Sequence, residues 1–411
     1  MKLTKYKIKD IAKTSSGGTP KSTIREYYEN GTIPWINSGE LSQSFITETS
    51  NYITELGYKN SSAKIFPKDE TVLLAMYGAT AGKASLLQID ACTNQAICAI
   101  MPDKKVVEPL FLKYKLDTMY KYLVGLSTGS ARDNLSQAGI GDIEIELPDL
   151  DTQRRIASVL SNLDRKIALN RQINTNLEAL ARQLYDYWFV QFDFPDANGN
   201  PYKSSGGKMT YNEKLKRHIP DGWHCGNLYE IATFKNGLAC QKFRPSPNGD
   251  KLPVIKIKEM HDGFTNETEF VKADIPESAK VYNGDVLFSW SASLEVMIWS
   301  FGKGGLNQHI FKVTSANGFP KSFYYFQLLD YVHVFKAMAE ARKTTMGHIT
   351  TDHLEQSTIA IPNNTDIANK FEKEVAPILN LIISNQAEIS SLTRQRDELL
   401  PLLMNGQVTI E

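Results

Sequence analysis

The chain has 411 residues, with 46 basic and 46 acidic side chains balancing to zero formal charge, 42% hydrophobic residues and 22% charged ones. That balance excludes a non-specific polycation, and no apolar run approaches the roughly 20 residues that cross a bilayer, so no helical membrane anchor is expected. The length suits two domains, and the charged start Met1-Lys2-Leu3-Thr4-Lys5-Tyr6-Lys7 lacks the apolar core of a signal peptide, so a cytoplasmic protein is expected.

Residues 1–148 alternate short β-type runs, such as Ile33-Pro34-Trp35-Ile36 and Thr71-Val72-Leu73-Leu74-Ala75-Met76, with Gly, Pro, Asn and Ser punctuation. This predicts an α+β domain with long loops. The four cysteines of the whole chain (Cys92, Cys98, Cys225, Cys240) show no zinc-type spacing, so the thiols are read as packing residues and no metal site is expected. Gly78-Ala79-Thr80-Ala81-Gly82-Lys83 looks like a phosphate-binding loop but is one residue short between its glycines and has Ala84 where Ser or Thr would hold magnesium. Nucleotide binding is rejected there, and a turn whose Lys83 touches a nucleic-acid phosphate is expected instead.

Pro148-Asp149-Leu150-Asp151 halts the strand pattern, and either Asp can cap the helix that follows. Ile156, Leu160, Leu163, Ile167, Asn170, Asn174, Leu177, Ala181 and Leu184 then keep the alternating 4,3 spacing of a coiled-coil seam, which assigns 149–192 to one long helix. Residues 193–220 are rich in turn formers and read as a connector; their basic run Lys214-Leu215-Lys216-Arg217 reads first as a solvated face.

Residues 221–362 restate the first domain in order: Leu252-Pro253-Val254-Ile255 answers Ile33-Pro34-Trp35-Ile36, Asn307-Gln308 answers Asn94-Gln95, and Ile361-Pro362 answers Leu147-Pro148. A second seam, Phe371, Val375, Ile378, Ile382, Asn385, Ile389, Leu392, Arg396 and Leu399, follows in 363–411, 215 residues after the first and step for step with it. Two copies of one unit are implied. Antiparallel pairing of the helices about a pseudo-two-fold would bring the seam midpoints, Asn170 and Asn385, together as a polar register mark. The seam from Ile156 to Leu184 is roughly 42 Å long at 1.5 Å per residue.

No catalytic constellation appears: there is no HExxH, GxSxG or GxGxxG pattern, and no catalytic residue is assigned. The polar and aromatic loops are the candidates for binding, because Lys and Arg suit phosphates while amides and Arg suit base edges. In the first copy these are Lys21, Tyr77, Lys83, Asn94, Gln95, Ser130, Arg132 and Asn134; in the second, Lys235, Lys242, Trp290, Asn307, Gln308, Arg342 and Lys343. The two Asn-Gln pairs recur, so they can equally be polar supports within the scaffold.

Several segments resemble the DNA specificity subunits of type I restriction-modification systems: Gly18-Thr19-Pro20-Lys21, Ile33-Pro34-Trp35-Ile36, Tyr77 to Lys83, Thr93-Asn94-Gln95, Gln153-Arg154-Arg155-Ile156-Ala157, Asn162 to Ile167 and Pro201 to Met209. The resemblance covers essentially the whole chain, and the second copy departs from it by lacking the Gly-Ala-Thr-Ala-Gly-Lys loop. It implies an α+β fold of two pseudo-symmetric target-recognition domains separated by an antiparallel two-helix coiled coil. It also implies that the chain binds double-stranded DNA, each domain reading one half of a bipartite target, and carries no cofactor itself. S-adenosylmethionine, ATP and magnesium would sit on partners: two methyltransferase subunits docked on the helices and, where the system cleaves, restriction/translocase subunits. Half-sites one turn apart, about 34–36 Å, approach the seam length. A stand-alone methyltransferase would need a base-clamping (Asn/Asp/Ser)-Pro-Pro-(Tyr/Phe/Trp) motif, which is missing; the other alternative is a coiled-coil adaptor that binds protein only.

Overall fold

The structure, a computed structural model, describes residues 2–128, 135–291, 293–341 and 349–410. They divide into two compact units, one of residues 1–167 with 392–411 and the other of residues 168–391, so each long helix contributes to both units.

In the first unit, one sheet has the order Ala12–Ser16, Ile97–Pro102, Val72–Ala75, Ala84–Leu87 and Phe45–Ile46, antiparallel until the last strand joins parallel. Val72, Leu74, Ala84 and Leu86 face a helical core, while Leu73, Ala75 and Leu87 face a second core. With both faces covered, the strand Val72–Ala75 is wholly buried, which explains its unbroken apolar sequence. A second sheet runs Tyr52–Ile53, Ile33–Ile36, Ala91–Thr93 and Ile65–Phe66, its central pair parallel. Helix Pro109–Thr118 starts on a proline, whose missing N–H costs nothing there, and buries Phe111, Leu112, Tyr114 and Leu116. Each such side chain contributes roughly 1.5–3 kcal/mol by leaving water.

The second unit repeats this plan. Its sheets run Ala232–Asn236, Ile310–Ser315, Val286–Ser289, Glu295–Ile298 and Phe270–Lys272, Lys251–Ile255, Gly304–Leu306, Lys280–Val281, again with a parallel central pair in the latter. The correspondence is atomic: Leu87 N–H donates to Thr71 O at 3.0 Å, and Trp299 N–H donates to Asp285 O at 2.8 Å. One strand has no copy: among the described residues no strand pairs with the outer edge of Glu295–Ile298, where Phe45–Ile46 pairs with Ala84–Leu87 in the first unit.

The long helices run Leu150–Tyr185 and Asp366–Met404. Asp149 is the cap of the first, its carboxylate accepting from Thr152 N–H at 2.9 Å and from Thr152 Oγ1 at 2.8 Å. Those hydrogen bonds hold its carboxyl below the usual range. Every seam position of both helices is buried or half-buried. In the second unit Asn385 Nδ2 donates to Asn174 Oδ1 at 2.9 Å and Asn170 Nδ2 donates to Glu388 Oε2 at 2.8 Å, an antiparallel register.

This corrects the expected meeting of Asn170 with Asn385, which lies one turn out of register. The cause is where the seams end. The first continues through Tyr185, Trp188 and Phe189, and the second through Leu403 and Met404, all buried. Counting them moves the midpoint about two residues along each helix, which is a turn in the contact. Asn174 takes the central place and also donates to Ile382 O at 3.2 Å.

The 193–220 connector is ordered by its aromatics rather than left as a free linker. Phe194 stacks on Trp223 with centroids 5.7 Å apart, Phe192 meets the same ring edge-on at 5.4 Å, and Met209–Asn212 pairs with Arg217–Pro220 as a hairpin. Its basic run is mostly exposed, with the Arg217 guanidinium 4.9 Å from the Phe192 ring centre.

Candidate nucleic-acid interface

In the first unit, the backbone draws four loops together. Gly17 is pressed so closely on the next strand that a Cβ there would lie 2.0 Å from Thr93 O, and Gly18 N–H donates to Thr93 O at 2.8 Å. Thr19 Oγ1 donates to the side-chain oxygen of Gln95. Trp35 Nε1 donates to Gly18 O at 2.9 Å and Tyr28 OH to Pro20 O at 2.5 Å, fixing the segment that ends in Lys21. The Tyr77–Gly82 turn is tied in by Thr80 Oγ1, which donates to Ser38 O at 2.7 Å.

Asn94 holds this arrangement instead of projecting from it. Its N–H donates to Ile36 O at 3.0 Å, its Oδ1 accepts from Ala96 N–H at 3.1 Å, and its Nδ2 donates to Asn37 Oδ1 at 3.4 Å. What projects is Lys21, Tyr77, which is 51% exposed, and Gln95. Lys83 is exposed at the foot of its turn, its ammonium 4.4 Å from the Tyr120 ring centre. Among the described residues neither Lys21 nor Lys83 has a carboxylate within 4.0 Å, so each charge is available to a phosphate.

The second unit builds the same frame with other tips. A Cβ on Gly237 would lie 2.3 Å from Asn307 O, Leu238 N–H donates to Leu306 O at 2.8 Å, and Gln308 N–H donates to Leu238 O at 2.8 Å. Asn307 repeats Asn94: its N–H donates to Ile255 O at 3.0 Å and its Oδ1 accepts from His309 N–H at 3.3 Å. Trp290 is half-buried, its Nε1 donating to Asn236 Oδ1 at 3.0 Å and its ring 5.4 Å from His309. Gln308 Nε2 lies 3.2 Å from His309 Nε2. Lys235 and Lys242 are exposed, whereas the neighbouring Lys256, Lys258 and Lys312 are neutralised by Glu269, Glu267 and Asp285.

Ser130, Arg132, Asn134, Arg342 and Lys343 lie outside the described residues. Sequence reasoning missed Asn37 and Glu40, a reciprocal cap in which Asn37 N–H donates to Glu40 Oε1 at 2.8 Å. The Asn-x-x-Glu spacing after Ile36 was the available signal. His309 and Asn236, which position Trp290, carried no comparable pattern.

Among the described residues, no three His, Cys, Asp or Glu side chains converge as a metal site, and no helix is long and apolar enough to cross a membrane. Burial pushes the Cys92 and Cys98 thiols up to about 12, far from a reactive thiolate.

The family described as "Type I restriction modification DNA specificity domain" matches residues 2–179 and again residues 220–395. The specificity subunit of the type I restriction enzyme MjaIX from Methanocaldococcus jannaschii is 30% identical over 417 aligned residues, covering 98% of this chain and 93% of that one. The HindI specificity subunit of Haemophilus influenzae is 23% identical, over 75% of this chain and 79% of its own. The crystal structure of a type I S subunit from M. genitalium superposes with a TM-score of 0.64 at 16% identity, covering 98% and 96% of the two chains.

Proposed function

Since this chain belongs to the family of type I restriction-modification DNA specificity subunits, we propose that it reads a bipartite double-stranded target, one half-site by each loop cluster, and directs partner enzymes to it. The carrying observation is the twin loop frame. Asn94 and Asn307 make the same main-chain turn, and Gly17 and Gly237 the same close approach, while the tips share a Gln, Gln95 and Gln308, and differ around it, with Tyr77 in one and Trp290 in the other. Equal frames with unequal tips suit two different base sequences read in one manner.

In this reading Lys21, Lys83, Lys235 and Lys242 neutralise phosphates, and Tyr77, Gln95, Trp290 and Gln308 meet bases. The paired long helices set the spacer. Their exposed faces, including Arg154, Arg155, Lys166 and Gln172 on the first and Lys370, Lys373 and Arg394 on the second, dock two methyltransferase subunits. Methyl transfer, with its S-adenosylmethionine, and any ATP- and magnesium-driven cleavage belong to those partners and to restriction/translocase subunits, acting on cytoplasmic DNA. The specificity subunit itself is not an enzyme.

Exchanging residues 1–148 for those of a relative, followed by methylome sequencing, tests the assignment. One half-site should change and the other persist. If both change, or neither, one domain does not read one half-site.

A further inference from the structure

The two copies offer the same residue at the tip, Gln95 and Gln308, and hold it by different means. Ser16 pairs with Cys98 and Asn236 with Phe311, while Gly18 N–H donates to Thr93 O at 2.8 Å and Leu238 N–H to Leu306 O at 2.8 Å. Thr19 and Ala239 therefore occupy one position of the shared frame. Ala96 N–H donates to Asn94 Oδ1 at 3.1 Å and His309 N–H to Asn307 Oδ1 at 3.3 Å, so Ala96 and His309 occupy another.

In the first copy the polar residue of this set is Thr19, whose hydroxyl donates to Gln95 Oε1, and Ala96 contributes only a buried methyl. In the second copy the polar residue is His309, whose Nε2 lies 3.2 Å from Gln308 Nε2, and Ala239 contributes the methyl. The hydroxyl lost at 239 is matched by an imidazole gained at 309. Each glutamine keeps one side-chain partner, supplied from the loop before it in one copy and from the next residue in the other.

His309 carries a cost that packing does not explain. Its Nδ1 is buried with no hydrogen-bond partner among the described residues. A buried polar atom left unpaired is destabilising, and Ala96 shows that the frame closes with a methyl at this position. What the imidazole adds is Nε2, and Nε2 meets Gln308. Whichever ring nitrogen carries the proton, Nε2 bonds one end of that amide.

A free glutamine turns about three side-chain bonds and must give up that freedom when it meets a base; a partner in the unbound protein removes it in advance. A carboxamide has two oxygen lone pairs and two N–H groups, so one held site leaves a lone pair and an N–H, the two groups that meet N6–H and N7 of adenine in the major groove. We propose that Thr19 and His309 are positioning residues that fix Gln95 and Gln308 for bidentate reading of adenine, one A·T pair in each half-site. This rests on the tip glutamines meeting bases, as stated above, and adds which residues set their discrimination and for which base.

Anisotropy titration of the full chain tests it, on the target duplex found by methylome sequencing and on a panel with each base pair replaced in turn. Thr19→Ala should lower discrimination at one A·T pair of one half-site about threefold or more, the effect of freeing one long side chain, and leave every other pair as it was. Thr19→Ser keeps the hydroxyl and should keep the discrimination. His309→Ala should relax one A·T pair of the other half-site to a similar degree, and adding Ala239→Thr, which places a hydroxyl where the first copy has it, should recover at least half of the loss. Thr19 is exposed, so its variants report even if His309→Ala misfolds. Equal weakening on every duplex, relaxation at a G·C pair, or a loss at His309→Ala that Ala239→Thr leaves unchanged overturns the proposal. Gln95→Ala and Gln308→Ala separate the two failures. If they relax a pair that Thr19→Ala and His309→Ala leave intact, the positioning fails alone; if they relax none, base reading by the tips fails with it.

Discussion

Replacing Asp164 by Ala should destabilise the first unit more than any other single truncation on its long helices. Asp164 is 5% exposed, accepts from Tyr114 OH at 2.7 Å and from Arg396 Nη1 at 2.9 Å, and lies 4.0 Å from Lys113 Nζ. Lys113 is itself 2% exposed. Taking one partner from a buried charge group costs about 3–5 kcal/mol, because the other charge remains buried. Two facts lower the figure here: Lys113 keeps Asp117 at 2.8 Å, and Arg396 keeps Asp397 at 2.7 Å and is a quarter exposed. Against that, the Tyr114 hydroxyl loses its acceptor, worth about 1–3 kcal/mol when left buried. Burial beside that carboxylate holds the hydroxyl protonated well above its ordinary range, so it cannot adapt by ionising.

The net expectation is about 3 kcal/mol, read as an earlier first transition in urea followed by fluorescence. Two units need not melt as one, so the second transition serves as the internal reference. Asp164→Asn keeps an acceptor for Tyr114 and should cost about half as much. A double-mutant cycle with Arg396→Ala should give a coupling of at least about 1 kcal/mol. A loss below about 1 kcal/mol for Asp164→Ala, or strictly additive single variants, would refute the reasoning.

Lys83→Ala and Lys235→Ala should each weaken DNA binding by a similar factor on cognate and unrelated duplexes and lower the log-log salt slope by about 0.9, measured by anisotropy over a salt series; a loss confined to cognate DNA would mean base reading instead. His224 has Nε2 2.9 Å from Glu230 Oε2 and Nδ1 2.7 Å from Asn363 Oδ1, two acceptors that suit the doubly protonated ring and, with the Glu230 bond foremost, raise its pKa above 6.5. The stability it adds is full below the unfolded pKa of about 6.5 and is lost as pH rises through the folded one, so His224→Gln should lower Tm more at about pH 5 than at about pH 8.5. An equal Tm difference at both would count against that linkage.

The seams were legible because burial of one helical face imposes a 3.5-residue spacing that few other structures share. Their register was not, since it depends on where two seams stop, and Tyr185 to Phe189 close the first with aromatics that break the heptad look. The cluster around Asp164 was equally hidden: Lys113, Asp164 and Arg396 are far apart in sequence and carry no local period. Phe45–Ile46 is too short to alternate, so neither the strand nor its absence from the second copy had a signature. Asn94 and Asn307 show the limit of reading a repeat. Their recurrence left a base contact and a scaffold support equally open, and the backbone bonds decide for the support, with Gln95 exposed beside the first and Gln308 half-buried beside the second.

That division of labour makes the loop frame a good substrate for evolution. Asn94, Asn307, Gly17 and Gly237 hold the frame through main-chain contacts, so a new side chain at Gln95 or Gln308 gives up only the contact with Thr19 or His309 and leaves those bonds in place. Tip mutations then carry little folding penalty, and a population can sample new target sequences without first losing the protein. Because each copy has its own frame, drift in one half leaves the other half's reading intact, and altered targets can arise by recombining halves as whole cassettes.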